Sequence, residues 1–491
     1  MKKLILCLLP LMTTYSFSCT TIVVGKKASA TGQIMFGRNS DTNPASRAKH
    51  LKLYKPTSQT AGFIALPYYN TEDQDGMLQV ATNEFGVAIS ATETITSNAQ
   101  ALAADPYITT GVQEFNVTKP VMEQAATAKE AVKLIGARIA KEGAAEGFGI
   151  VLADKNEAWY LETASGTRWV AVRVPDDAYF VSANQGRIQE VGLDENGKFA
   201  DGYMGSSDLI SFAKQHGFYK EYNGRFDFRL TYQRINNIQT GGMDNDVNYN
   251  YLRIATLQNK FSSTSTENFK NGEFPTFLKP AHKLTLSDVE AGLSDYYQNT
   301  GNDPYTNPQA SANYRPISVF RSSNSHVTVV RDNADQKIAN VEYIALGMPN
   351  LSIYLPFYYG INEVPHAYQI GNGNADDSSA FWQFRKLQAL VFTDFAHNEP
   401  IVRKRFKMLN DLILADQATM ESKYKTSGND QLIQDFVNRS TELAIQEAKK
   451  LTLELENKYK IAHPDEKVEF NNSYYDQLTL DIYNKYRFPG F

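Results

Sequence analysis

Cysteine is nearly missing from this sequence, with two residues in 491, Cys7 and Cys19. No disulfide framework can therefore hold the fold, and thiol chemistry has two places to occur at most. A basic excess is missing as well. Lys and Arg number 49 against 54 Asp and Glu, a formal charge of -5, so the basic face that a nucleic-acid binder carries is not there. No apolar run approaches the roughly 20 residues of a membrane-spanning helix. The seven histidines include no HExxH pair, which leaves a metal-dependent protease without support, and no metal or other cofactor is expected. His326 follows Ser322-Ser323-Asn324-Ser325, but no GxSxG nucleophile elbow accompanies it, so it reads as a loop or core histidine. Neither GxGxxG nor a phosphate-binding loop occurs, and no nucleotide is implied. Asp244-Asn245-Asp246-Val247-Asn248 has calcium-loop spacing at three positions. Tyr249 then stands where Gly is needed and no Glu closes the loop, so a polar turn is the better reading and an irregular Ca²⁺ site stays open.

What is present begins at the N-terminus. Met1-Lys2-Lys3 is positive, Leu4 to Met12 is apolar apart from Pro10, and Ser16-Phe17-Ser18 puts small residues before Cys19. This is the layout of a secretory signal peptide cut after residue 18. Removing those 18 residues, Lys2 and Lys3 among them, leaves 473 residues and takes the charge from -5 to -7. The mature chain is expected to be soluble and exported, periplasmic or secreted. Cys7 leaves with the leader, and the one remaining thiol becomes the first residue. Lipidation of Cys19 is the competing reading. It would block amine and thiol together and leave a ligand-binding lipoprotein. The lipid signal favours Leu three residues before the cysteine, where this chain has Ser16.

Farther on, Cys19 to Gly25 reads as a β-branched strand and Gln33 to Arg38 as its hairpin partner. Gly86 to Thr92 is a third strand. A helix is expected from Thr118, with Pro120 in its first turn and an apolar stripe of Val121, Ala125, Ala128, Val132, Ile135 and Ile139. Segments 147–153, 157–162, 169–174 and 179–182 read as successive strands of a meander. Ser207 is expected to cap a helix ending at Gly217, and Ser287-Asp288-Val289-Glu290 to form a capping box. Two more strands are expected at 326–330 and 341–346. Beyond about residue 376 the chain turns long, charged and helically periodic, over 378–396, 401–423 and 429–459. The expected organisation is an α+β domain over 19–375 followed by a helical region over 376–491.

A cysteine at position one is chemically self-sufficient. The thiolate, not the thiol, is the nucleophile. The free α-amine, with a pKa of about 7.7–8.0 against about 8.5 for the thiol, can take the proton and later return it to a leaving amine. The site still needs a cation to favour the thiolate, a carboxylate to orient the amine and an oxyanion donor. Arg38-Asn39-Ser40-Asp41 supplies the first two if the hairpin brings them beside Cys19. Taken alone, Arg38 and Asp41 would read as a surface ion pair.

Cys19-Thr20-Thr21 followed by Gly37-Arg38-Asn39-x-Asp41 resembles the opening of the N-terminal-nucleophile cysteine dipeptidases of the dipeptidase A type. These are relatives of penicillin V acylase and choloylglycine hydrolase. Asn83 to Thr94, Glu157 to Glu162, Val181-Ser182-Ala183-Asn184 and Tyr354 to Gly360 fit in order, so the likeness runs over most of 19–390. The resemblance implies an αββα sandwich and metal-free amide hydrolysis of small peptides, with Cys19 as nucleophile and Arg38 and Asp41 tuning and orienting it. It further implies Asn184 as oxyanion side chain and Arg253 as a second active-site arginine. Glu93 replaces the uncharged residue usual in the acylase branch, and a carboxylate there suits a substrate's free α-ammonium group. An acylase acting on N-acyl amino acids or bile-salt-like conjugates is the alternative on the same scaffold. Homo-oligomerisation stays open.

Overall fold

The computed structural model describes residues 18–41, 50–67, 77–235, 246–264, 269–307, 309–310, 313–332, 335–486 and 488. Residues 1–17 of the expected leader lie outside these, as do Asp244 and Asn245 of the expected polar turn.

Alternating apolar residues build two antiparallel sheets. The strands are β1 (Ser18–Val24), β2 (Ile34–Asp41), β3 (Lys52–Tyr54), β4 (Phe63–Pro67), β5 (Leu78–Asn83), β6 (Ala88–Thr94), β7 (Phe148–Ala153), β8 (Ala158–Thr163), β9 (Trp169–Arg173), β10 (Tyr179–Ser182) and β11 (Tyr203–Gly205). A short hairpin, β12 (Glu221–Tyr222) with β13 (Arg225–Phe226), stands apart, and β14 (Phe277–Leu278), β15 (Ser322–Val330), β16 (Asn340–Leu346) and β17 (Leu355–Phe357) follow. The first sheet runs β14-β10-β1-β2-β15-β16-β17 and the second β11-β9-β8-β7-β6-β5-β4-β3.

Strand parity sorts the side chains into layers. Val23, Ile34 and Phe36 of the first sheet pack between the sheets with Ala88, Val151, Tyr160 and Val172 of the second. Ile22, Val24 and Met35 face the other way, onto Leu257 and Leu293 of the Leu252–Ser262 and Leu286–Leu293 helices. The outer face of the second sheet, with Ile89, Ile150 and Trp159, is covered by Val132, Ile135 and Ile139 of the Ala128–Glu142 helix. Helix, sheet, sheet and helix thus stack in four layers, the expected αββα sandwich. The C-terminal helices Ala380–Val391, Phe395–Ser427, Gln431–Ala462 and Asn472–Lys485 share one apolar core with the first sheet through residues such as Phe381, Phe406, Ile433 and Ile482.

Several local expectations are corrected. The helix from Thr118 is two. Thr118–Met122 stops, and the Thr127 hydroxyl accepts from Glu130 N at 3.1 Å to cap a new start at Ala128. The meander ends at β9, because β10 crosses to the first sheet and pairs with β1. The capping box is formed by Thr285 and Asp288, two residues earlier than expected. Asp208, not Ser207, precedes the Leu209–Gln215 helix, and Gly217 follows it at φ 74°.

The two sheets also meet through polar groups. Asn340 donates to Gly86 O at 3.0 Å, and the buried Glu342 of β16 lies beside Thr82 of β5. Burial pushes the Glu342 carboxyl up to about 8. A raised folded-state value stabilises the fold below the unfolded value of about 4.3, and that contribution is lost as pH climbs through 8. Glu342→Gln is therefore expected to flatten the fall in melting temperature between about pH 4.3 and 8. A variant melting temperature that follows the wild type across that range would remove Glu342 as its cause.

Candidate functional site

The hairpin sets the register Cys19↔Ser40 and Thr21↔Arg38. By parity Cys19, Arg38 and Ser40 face the space between the sheets. Cys19 and Arg38 are fully buried, and the sulfur packs on Met77. Arg38 Nη2 donates to Cys19 Sγ at 2.7 Å and to Thr92 O at 2.6 Å, while Nη1 donates to Gln79 Oε1 at 3.0 Å. Ser40 also donates to Gln79 Oε1. The expected cation is thus at the sulfur.

Thr92 O is open to Arg38 for a reason readable in the ladder. β6 pairs Ala91 with Ile150 and Glu93 with Gly149, so Thr92 is an extra, bulged residue. A bulge leaves one residue unpaired and reverses the facing of those beyond it. Ile89 and Ala91 lie on the helix-covered side, whereas Glu93 turns inward and accepts from Tyr160 Oη at 3.0 Å. Gly149 makes this contact possible, because a Cβ there would meet Tyr160 Oη at 2.0 Å and Glu93 Oε2 at 3.0 Å. Glu114 arrives from the loop before Thr118. Its Oε1 accepts from Thr94 Oγ1 at 3.0 Å, and its N–H donates to Glu146 Oε1 at 2.8 Å.

The other side of the strand carries a second set of partners. Arg253, on the outer Leu252–Ser262 helix, donates through Nη1 to Cys19 O at 2.7 Å and Thr20 Oγ1 at 2.8 Å. Its Nη2 donates to Asn184 Oδ1 at 2.9 Å and Asn250 Oδ1 at 2.7 Å. Asn184 follows β10. Its Oδ1 also accepts from Cys19 N at 3.1 Å, and its Nδ2 donates to Thr94 O at 3.3 Å. Asp41 points to this side too. Its carboxylate accepts from Arg315 and from Ser322 Oγ, the latter at 2.5 Å. The reading of Arg38 and Asp41 as a surface ion pair is therefore overturned. Both are buried, and three residues apart on a strand they face opposite ways.

Electrostatics follow from burial. Desolvation pushes the Cys19 thiol up to about 11; Arg38 pulls it down, and Glu114 and Glu93 push it further up. Desolvation lifts Glu93 to about 7 against the pull of Arg38. It lifts Glu114 to about 8, helped by Glu146. Burial lowers Arg253 to about 10.

Cys19, Arg38, Glu93, Asn184 and Arg253 are thus brought together, with Asp41 behind the strand. His326 is a core residue, its Nε2 at 2.9 Å from Ser90 Oγ between the sheets. Sequence reasoning missed Gln79, Glu114 and Arg315. Gln79 alone carries an advance signal, a polar residue inside the apolar stretch Leu78-Gln79-Val80.

Residues 18–407 match the model of Peptidase family C69. A "Probable dipeptidase" of Salmonella dublin is 42% identical over 365 residues, 70% of this chain and 81% of its own length. A "Probable dipeptidase B" of Lactococcus lactis subsp. lactis is 31% identical over 455 residues, covering 87% and 94%. A "Dipeptidase A" of Lactobacillus helveticus is 28% identical over 380 residues, covering 72% and 77%.

Because the Arg38 guanidinium favours the thiolate, Arg38→Gln is expected to move the Cys19 alkylation midpoint to higher pH by about one unit or more. Arg38→Lys should move it less. Iodoacetamide labelling followed by mass spectrometry, on variants whose circular dichroism matches the wild type, measures this. A midpoint that stays in place in the Gln variant would show that the contact does not tune the sulfur.

Proposed function

The chain belongs to peptidase family C69, and from that premise we propose that it is an exported cysteine dipeptidase whose nucleophile is Cys19 in the mature chain. The observation that carries the reading is the Arg38–Cys19 contact at 2.7 Å on a residue that a leader cut would leave at the N-terminus.

With Ser18 attached, the nitrogen of Cys19 is an amide and accepts no proton. Burial keeps the thiol protonated. Cleavage before Cys19 would create an amine beside Asn184 Oδ1, which accepts from that nitrogen at 3.1 Å. The Arg253 guanidinium binds the carbonyl of the same residue at 2.7 Å. A cation so near disfavours the ammonium form and keeps the amine available as a base. The amine then takes the thiol proton, and Arg38 stabilises the thiolate. Sulfur attacks the peptide carbonyl, and the protonated amine returns its proton to the departing amino group. Water, deprotonated by the same amine, hydrolyses the thioester and restores the thiol. Asn184 Nδ2, which donates to Thr94 O at 3.3 Å, serves as the side-chain donor to the oxyanion once substrate enters. Asp41, fixed by Arg315 and Ser322, orients the end of β2 against the start of β1. Glu93 serves the substrate's α-ammonium group.

Purified mature protein is expected to begin at Cys19 and to cut unblocked dipeptides. Cys19→Ala should lower kcat by about 10³-fold or more. N-terminal sequencing with assays on free and N-acylated substrates checks all three. Turnover retained by the Ala variant would sink the mechanism. Preference for N-acylated substrates would select the acylase reading, and a diacylglyceryl group on Cys19 the lipoprotein one.

A further inference from the structure

We propose that Glu114 is a substrate-binding residue that forms, with Glu93, a two-carboxylate seat for the free α-ammonium group of the peptide's first residue. This deepens the dipeptidase reading and rests on it.

The geometry begins with the loop between the Ala99–Ala104 and Thr118–Met122 helices, which delivers Glu114 to the bulged end of β6. The residue is 1% exposed. Thr94 fixes its Oε1, and Oε2 lies beside the Thr92 hydroxyl without accepting a hydrogen bond of good geometry. The groups facing the pair are Arg38, Cys19, Glu146, Tyr160 and, farther off, Arg253. Arg38 is the nearest cation, yet its hydrogen bonds go to Cys19 Sγ, Thr92 O and Gln79 Oε1, none to a carboxylate. Two buried carboxylates therefore share one guanidinium that is bonded elsewhere.

Position matches the need. The α-nitrogen of a peptide lies about 2.5 Å from its carbonyl carbon, so the ammonium of a substrate under attack must sit within a few ångströms of the sulfur. Both carboxylates act on the Cys19 thiol, and Glu114 more strongly than Glu93. An incoming ammonium supplies the missing charge. An N-acyl group offers none and leaves the carboxylates desolvated and unpaired, which costs binding. Neutralising them also removes the share of the upward push on the thiol that the carboxylates add to burial, so a free amino end helps to activate the nucleophile that cuts it.

The test compares a dipeptide with its N-acetyl derivative on the mature chain. Glu114→Gln should raise KM for the free dipeptide about tenfold or more, with kcat falling less, and should lower the free-over-blocked ratio of kcat/KM by a similar factor. Glu114→Asp should restore part of it. Wild-type KM should fall as Glu93 and Glu114 ionise through about 7 and about 8, and this slope should weaken in the Gln variant. An unchanged ratio, or equal losses on both peptides, overturns the proposal while leaving the dipeptidase reading intact. A wild type that cuts neither peptide overturns both. Should the Gln variant fail to fold, Thr94→Val, which removes the hydroxyl aiming Glu114, must lower the same ratio, and an unmoved ratio overturns the proposal.

Discussion

The site depends on one contact, the Arg38 guanidinium against the Cys19 sulfur, and that contact depends on an antiparallel register. Thr21 opposite Arg38 places the arginine two residues along from the cysteine on the same face of the sheet. A slip of one residue would send the guanidinium to the helix layer and leave the thiol without a cation. A buried arginine must also have its donors met or it destabilises the fold. Here Gln79 from β5 and the unpaired Thr92 carbonyl from β6 accept from Nη1 and Nη2, while Nε is buried without a partner among the described residues. The cation at the sulfur is thus held by three strands from both sheets, and packing of sheet on sheet is what assembles it.

The same parity divides charge about β1. The face toward the second sheet holds the thiol with Arg38, Glu93 and Glu114, and the face toward the helices holds Arg253, Arg315 and Asp41. The backbone of Cys19 lies between them. Burial keeps the thiol protonated against the pull of Arg38, and an amine freed at Cys19 by a leader cut would lie beside Arg253, which disfavours its protonation. One residue therefore presents an acid and a base to different electrostatic surroundings.

Much of this was legible in sequence, and the limits have physical causes. The hairpin, Arg38 beside Cys19 and the helical tail follow from periodicity and turn residues, whereas the αββα layers were expected only through the family resemblance. Sequence distance puts Arg38 and Asp41 together beside Cys19, whereas strand parity sends them to opposite faces. Strict alternation places Glu93 on the same face as Ile89 and Ala91; only the extra residue at Thr92 turns it inward, and a bulge leaves no mark in composition. The break between Met122 and Ala128 was hidden because the apolar stripe runs through both helices while Thr127 restarts the second. Glu114 and Arg315 come from loops far along the chain, and nothing local announces where a loop will be carried.

The residue just ahead of Cys19 is part of the ladder, for Ser18 pairs with Asp41 at the end of β2. A protease needs an extended, accessible segment to bind, and backbone already paired in a sheet is neither free nor reachable. If the leader is removed after Ser18, severance has to come before that edge of the hairpin zips closed. Maturation then has a direction in time, and a chain that folded with its leader attached would shield its own cut point.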